Sequence, residues 1–145
     1  VPEMARDIIE KTTDVVYDDL IKIATLHAQT ILDYTKKANK LLVCDTDVNI
    51  TSSYSQYLFK QNLVVPNWIA EANKADLYIF LETDCPFVQD GTRLSEEERN
   101  DLSKHHKEHL TKAGINYHVI TGNWDKRFEQ AKKLIERTFY NSYSI

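Results

Sequence analysis

Two carboxylates directly follow a short apolar run and could hold a divalent cation. The run spans residues 41–44, and Asp45 and Asp47 come immediately after it. A carboxylate in such a position can bind Mg²⁺ directly or through water, and phosphoryl transfer uses that cation to neutralise phosphate charge. An acid after a buried strand is also a common turn or helix-cap residue, so the residues alone leave both interpretations open.

A second segment with possible chemistry is the loop 84–93. It contains a proline, an Asp-Gly pair and Arg93, and it runs into a charged helix that carries Arg99. A loop of this kind can close over a nucleotide and bring arginines to the phosphoryl group being transferred. Arg93 and Arg99 are therefore catalytic candidates. The alternative is an ordinary turn followed by a solvent-facing helix.

A third segment, 122–127, contains Asn123, Trp124 and Arg127. Its backbone could approach a planar base, with the Arg127 guanidinium over the face of that base. This pattern makes the three residues nucleotide-binding candidates. The alternative is structural, with Asn123 capping the last helix and Trp124 in the core.

Histidines and cysteines give weaker signals. His105 and His109 are four residues apart on one predicted helix, a spacing that zinc can use. No third ligand is evident, so a solvent-facing helix surface is the favoured interpretation. Cys44 and Cys85 lack the spacing of a metal site, and we expect two free thiols in a reducing, cytoplasmic compartment.

Alternating strands and helices must position these side chains. Short apolar runs predict three buried strands, at about 41–45, 77–82 and 117–121. Helical spacing predicts helices at about 5–11, 18–38, 51–60, 66–74, 95–113 and from 123 or 125 to 139. The alternation favours an α/β fold with a mostly parallel sheet and flanking helices. The acids then gather at the carboxyl ends of the strands, where such sheets bind ligands.

Composition narrows the function classes. The 145 residues suit one domain over 1–145, and 42% hydrophobic residues are enough for a core. A net charge of -4 with no dense basic stretch argues against nucleic-acid binding. No apolar run approaches the roughly 20 residues of a membrane span. We therefore expect a cytoplasmic domain that binds neither nucleic acid nor a membrane.

Five motifs, taken in order, resemble one family. They read Val-Pro-Glu-x-Ala-Arg, a helix with Asp-Leu-Ile-x-Ile-Ala, a strand ending Asp-Thr-Asp, Asp-Leu-Tyr-x-x-Leu-Glu-x-Asp-x-Pro-Phe-x-x-Asp-Gly-x-Arg, and Thr-Gly-x-Trp-x-x-Arg-Phe. Together they resemble the ribosylnicotinamide kinase domain of NadR-type proteins and the wider set of NadR-like P-loop ATPase domains. The resemblance extends from residue 1 to about residue 135, and the loop 84–93 is its most specific part.

The resemblance implies ATP- and Mg²⁺-dependent phosphorylation of the ribose 5′-hydroxyl of nicotinamide riboside, a step of NAD biosynthesis. In that reading, the run 41–47 is the Walker B strand. The candidate residues then fall into three groups. They are Asp45 (also the metal ligand), Arg93 and Arg99 for catalysis; Glu3, Arg6, Asp47, Phe87 and Asp90 for substrate binding; and Asn123, Trp124 and Arg127 for nucleotide binding.

The sequence also departs from the family. Phe87 stands where Trp is usual and His27 where Gln is usual, so a kinase for another nucleoside stays open. The family begins with a strand and Gly-x-x-x-x-Gly-Lys-Ser/Thr, which the glycines at 91, 114 and 122 cannot form. Without that loop the phosphates of ATP lose their main cradle. We therefore expect this chain alone to be inactive and poorly stable, with a nucleotide-binding or regulatory domain without turnover as the alternative.

Overall fold

The computed structural model describes residues 1–9, 14–90 and 93–140, except for the side chain of Arg6. No helix in these ranges has both the length and the apolar character that crossing a bilayer requires. The elements, in chain order, are a 3-10 helix (Ala5–Asp7), α1 (Tyr17–Thr35), α2 (Val48–Phe59), α3 (Asn67–Ala72), β1 (Ile79–Leu81), α4 (Glu96–Lys112), β2 (His118–Ile120) and α5 (Trp124–Phe139).

The sheet is parallel, as predicted, but smaller than predicted. β1 pairs with β2 in parallel, and Ile79, Phe80 and Leu81 lie opposite His118, Val119 and Ile120. α4 makes the connection between the two strands. The α/β class and two of the three predicted strands are therefore confirmed.

The third predicted strand, 41–45, is wrong as a strand. These residues form no strand in the structure. Their backbone hydrogen bonds include two to Val1: its ammonium donates to the Val43 carbonyl at 2.6 Å, and its carbonyl accepts from the Asp45 N–H at 2.9 Å. An apolar run becomes a strand only when a neighbouring strand completes its hydrogen-bond ladder, and one residue does not provide a ladder.

Helix starts follow local capping chemistry. The Ser95 hydroxyl accepts from the Glu98 N–H, and the Glu98 carboxylate accepts from the Ser95 N–H, which together form a capping box at the start of α4. Helix α2 begins at Val48, earlier than the predicted Thr51, because Asp47 is its N-cap and accepts from the Ile50 N–H.

Helix packing forms the core. In one cluster the small residues Ala24 and Ala28 of α1 lie against Val48 of α2 and Ile69 of α3. A second cluster joins Val15 and α1 to the apolar side chains of α2. Helix α4 packs across α2 from the other side.

Large apolar side chains remain exposed around the sheet. Val43 is 67% exposed, Leu81 52%, Val119 43% and Phe128 of α5 68%. Within the described residues, the only strand pairing is that of β1 with β2. Uncovered apolar area contributes nothing to stability and favours association.

We therefore expect chain 1–145 alone to unfold broadly, with a midpoint below the roughly 45 °C that marks the low end for mesophilic domains. Thermal circular dichroism with sedimentation analysis measures this. A cooperative transition of a monomer well above that temperature would contradict the expectation.

A half-buried histidine, His106, joins α2 to α4. The His106 Nδ1 lies 2.7 Å from the hydroxyl of Ser53, which is fully buried, and the His106 ring contacts the Tyr54 ring edge-on at 4.9 Å. His105 contacts Tyr57 in a similar way at 5.5 Å. The expected solvent-facing helix surface is therefore wrong for His105, which packs against α2 beside His106. Loss of hydration lowers the pKa of His106 to about 4, and nearby histidines lower it further.

This histidine makes stability depend on pH. Below its ordinary pKa of 6.5 the unfolded chain binds a proton at His106, while the folded chain does not until about pH 4. The free energy of unfolding therefore falls as the pH drops through that window, by roughly 2 kcal/mol at pH 5. Urea unfolding at several pH values should show a smaller decrease for His106→Gln. The matched change at the exposed His118, His118→Gln, should leave the decrease intact; equal slopes in all three proteins would refute the assignment.

Candidate functional site

A cavity of about 340 Å³ opens between the N-terminal segment, α1, α2 and the start of α4. Four sequence-predicted site residues line it, Glu3, Phe87, Arg93 and Arg99, although they are up to 96 positions apart. The remaining wall is mostly apolar and contains two threonines and one tyrosine, in residues Ala5, Ile9, Val15, Leu20, Ile23, Thr46, Ile50, Thr51, Tyr54, Leu58, Leu94 and Leu102. An apolar pocket of this size with a few convergent polar groups is typical of a small-molecule site.

The two arginines of the cavity are held differently. Arg99 donates to the Thr83 carbonyl at 3.1 Å, and its guanidinium lies 5.1 Å from the centre of the Phe87 ring. Arg93 is about half exposed and pairs with the Asp90 carboxylate at 2.9 Å. Arg99 is therefore anchored to the loop, whereas Arg93 has an exposed partner that an incoming anion can replace. Arg93 is the better placed of the two to meet a phosphoryl group.

The two predicted acids also differ. Asp47 is buried, and its carboxylate accepts from the Ile50 N–H at 3.0 Å, the Asn49 side chain at 2.6 Å and the Tyr78 hydroxyl at 2.9 Å. The Asp45 side chain is exposed. Mg²⁺ in proteins keeps several waters, which an exposed carboxylate allows. Asp45 therefore fits a Mg²⁺ ligand, while Asp47 already has three donors and fits a structural cap.

Tyr78 is a partner of Asp47 that the sequence did not reveal. Burial raises its pKa, and the Asp47 carboxylate raises it further, so the hydroxyl stays protonated and donates. The Val48 N–H donates to the Asn73 side chain at 3.0 Å, which ties α3 to the same helix start. These contacts join residues that are 25 and 31 positions apart. The local sequence therefore does not predict them.

Substitution should separate the two acids. Asp47→Asn places an amide N–H against existing donors, so we expect a loss of about 1–3 kcal/mol in the free energy of unfolding. Asp45→Asn should change that energy by no more than about 0.5 kcal/mol, since exposed positions tolerate change. Urea unfolding of both variants tests this. Equal losses would show that both acids serve the fold in the same way.

The carboxyl ends of β1 and β2 are tied together by Arg127. This residue is 4% exposed and donates to the carbonyls of Gly122 at 2.6 Å and Glu82 at 2.8 Å. It also forms an ion pair with Asp84, whose carboxylate accepts from the Gly122 N–H at 2.6 Å. Polar groups from the ends of both strands therefore meet at Arg127. These contacts use Nε and one terminal nitrogen of the guanidinium, and nucleotide binding by Arg127 stays a prediction.

The neighbouring residues of that loop behave differently. Asn123 caps α5 by accepting from the Lys126 N–H at 3.0 Å, which matches the structural alternative. Trp124 is 71% exposed, so placing it in the core was wrong. The Arg127 guanidinium lies 5.8 Å from the centre of the Trp124 ring. The exposed indole leaves nucleotide binding by Trp124 as a prediction.

Asp90 lies outside the cavity wall but holds Arg93. The side chain of Arg6 lies outside what the structure describes. Among the described residues, no three His, Cys, Asp or Glu side chains are grouped to hold a metal.

Comparison with known proteins decides the family. A family model described as an AAA domain matches residues 1–127. The chain belongs to this AAA domain family. The trifunctional NAD biosynthesis/regulator protein NadR of Salmonella typhimurium is 34% identical over 124 residues, which cover 83% of this chain. NadR of Escherichia coli is 33% identical over 123 residues, or 82% of the chain.

These relatives are much longer than the AAA domain described here. The chain spans about 30% of the length of each NadR protein that it matches. Together with the family match, the similarity makes it a NadR-like domain related to P-loop NTPases, as the motifs indicated.

Proposed function

We propose that this AAA domain binds nicotinamide riboside in the 340 Å³ cavity and presents its 5′-hydroxyl for phosphorylation by ATP and Mg²⁺. The observation that carries the proposal is the meeting of Glu3, Phe87, Arg93 and Arg99 in one apolar pocket. Their motifs are those that resemble ribosylnicotinamide kinases, and NadR itself is named for NAD biosynthesis.

Each group then has a physical role. The Phe87 ring offers its face to the flat pyridinium of the riboside, and Arg99 fixes that ring from the other side. Arg93 leaves Asp90 and offsets charge that develops on the transferred phosphoryl group. Asp45 would hold Mg²⁺ through water; when bound, the cation neutralises phosphate charge.

Turnover needs a phosphate-binding loop as well. Residues 1–145 contain no Gly-x-x-x-x-Gly-Lys-Ser/Thr motif. A second candidate function is a nucleotide-binding or regulatory domain that binds the same ligand without turnover. Comparing ligand binding with product formation in the intact protein separates the two.

Kinetics of the intact protein with ATP and nicotinamide riboside test the roles. Arg93→Ala should lower kcat by about 10²-fold or more with a smaller effect on KM, because its interaction forms mainly in the transition state. Asp45→Asn should lower activity and raise the Mg²⁺ concentration required. Phe87→Ala should mainly raise KM for the riboside, because lost stacking weakens ground and transition states alike.

Arg137→Ala is a matched control, since Arg137 is a solvent-exposed arginine on α5 outside the cavity wall. Its kinetics should equal those of the unchanged protein. If all three site variants also keep normal kinetics, the cavity is not the acceptor site. If the unchanged protein ignores nicotinamide riboside but phosphorylates another nucleoside, only the substrate assignment fails.

A further inference from the structure

The turn between Asp45 and Asp47 holds its middle residue in an unusual backbone conformation. Thr46 has a φ of 63°, in the left-handed region that β-branched residues rarely adopt. Among the described residues, the only other non-glycine residue with a positive φ is Lys60. Lys60 is the C-cap of α2, and helices commonly end in a left-handed residue. Thr46 ends no helix, so its conformation needs another explanation.

Contacts on both sides keep Thr46 in this conformation. The Asp45 N–H donates to the Val1 carbonyl at 2.9 Å, and the Asp47 carboxylate has three donors. Both neighbours are therefore tied to other parts of the chain, which opposes relaxation of the strained residue between them. Strain that the surrounding structure maintains in this way is found mostly at functional sites.

Thr46 lines the cavity and carries a hydroxyl that the fold does not use. The other threonine of the cavity wall is Thr51, whose hydroxyl donates to the Asp47 carbonyl at 3.1 Å. Within the described parts of the chain, the Thr46 hydroxyl makes no hydrogen bond, and the residue is exposed. The strained turn thus leaves a group at the cavity wall that can both donate and accept.

The position of Thr46 in the chain relates it to the proposed phosphoryl transfer. Of the residues that line the cavity, Thr46 is the one bonded directly to Asp45, which fits a Mg²⁺ ligand. Consecutive Cα atoms are about 3.8 Å apart, so this part of the wall adjoins Asp45. Phosphoryl transfer depends mainly on positioning and electrostatics. The acceptor hydroxyl that is to be phosphorylated therefore belongs at this part of the wall.

We propose that the Thr46 hydroxyl forms a hydrogen bond with the 5′-hydroxyl of the riboside, which makes Thr46 a substrate-positioning residue. Both groups are alcohols, and each can donate one hydrogen bond and accept others. The tied backbone places the threonine, and its branched side chain has few rotamers, so little entropy is lost when the ligand binds. This inference rests on the proposed function, and it extends that function from the flat ring to the hydroxyl that receives the phosphate.

The test is binding of nicotinamide riboside and of its 5′-deoxy analogue to the intact protein, measured by calorimetry without ATP. Thr46→Val keeps the branched shape and removes the hydroxyl, so Kd for the riboside should rise about 5-fold, the value of one neutral hydrogen bond. Kd for the analogue, which lacks the partner, should not change. Thr46→Ser retains the hydroxyl and should bind the riboside as the unchanged protein does.

Thr111→Val is the matched control. Thr111 is exposed on α4, outside the cavity wall, and its hydroxyl donates to the Lys107 carbonyl at 2.8 Å. This variant should bind both ligands like the unchanged protein. Circular dichroism confirms that each variant is folded.

Each outcome bears on a different claim. If the unchanged protein binds the riboside and Thr46→Val binds it as tightly as Thr111→Val does, the role of Thr46 is overturned and the proposed function stands. An equal rise in Kd for the riboside and for its analogue would show that Thr46 shapes the cavity without binding the 5′-hydroxyl, which also overturns the inference. No binding of the riboside to the unchanged protein would overturn the inference and the proposed function together.

Discussion

The Asp47 carboxylate is the interaction on which the arrangement of the site depends. It caps α2 and accepts from the hydroxyl of Tyr78, the residue directly before β1. Asp45 lies two residues before it in the chain. Because this carboxylate is buried and has three donors, it fixes the start of α2 at Val48. That start sets which residues of α2 face α4 and which face the cavity. Tyr54 reaches the cavity wall as a consequence of where the helix begins.

The cavity and the strand ends each contain an arginine, and the two arginines are held in different ways. At the strand ends, Arg127 donates hydrogen bonds to backbone carbonyls and pairs with Asp84. These contacts hold β1 and β2 together. In the cavity, Arg93 keeps an exposed carboxylate partner that an anion can displace. Two arginines of the same sequence thus have opposite uses, one as a permanent tie and one as an exchangeable charge.

Local signals in the sequence were reliable and long-range ones were not. The capping box of Ser95 and Glu98 lies within four residues, so it could be predicted from chemistry alone. Motif resemblance likewise predicted that Glu3, Phe87, Arg93 and Arg99 serve one site, and the cavity brings them together. The start of α2 and the position of the Tyr54 ring depend on Tyr78 and His106, which are distant in sequence. Residues 41–45 form no strand because a strand needs a neighbouring strand to complete its backbone hydrogen bonds.

The exposed Trp124 gives the molecule an optical consequence. The chain has two tryptophans, and Trp124 is 71% exposed while Trp68 is 41% exposed. An indole in water emits at longer wavelength than one in an apolar environment, so the intrinsic fluorescence of this domain should be dominated by a red-shifted band. A purine stacked on Trp124 would quench that band, whereas a ligand in the cavity lined by Phe87 would leave it unchanged. Fluorescence thereby distinguishes which of the two regions a ligand enters.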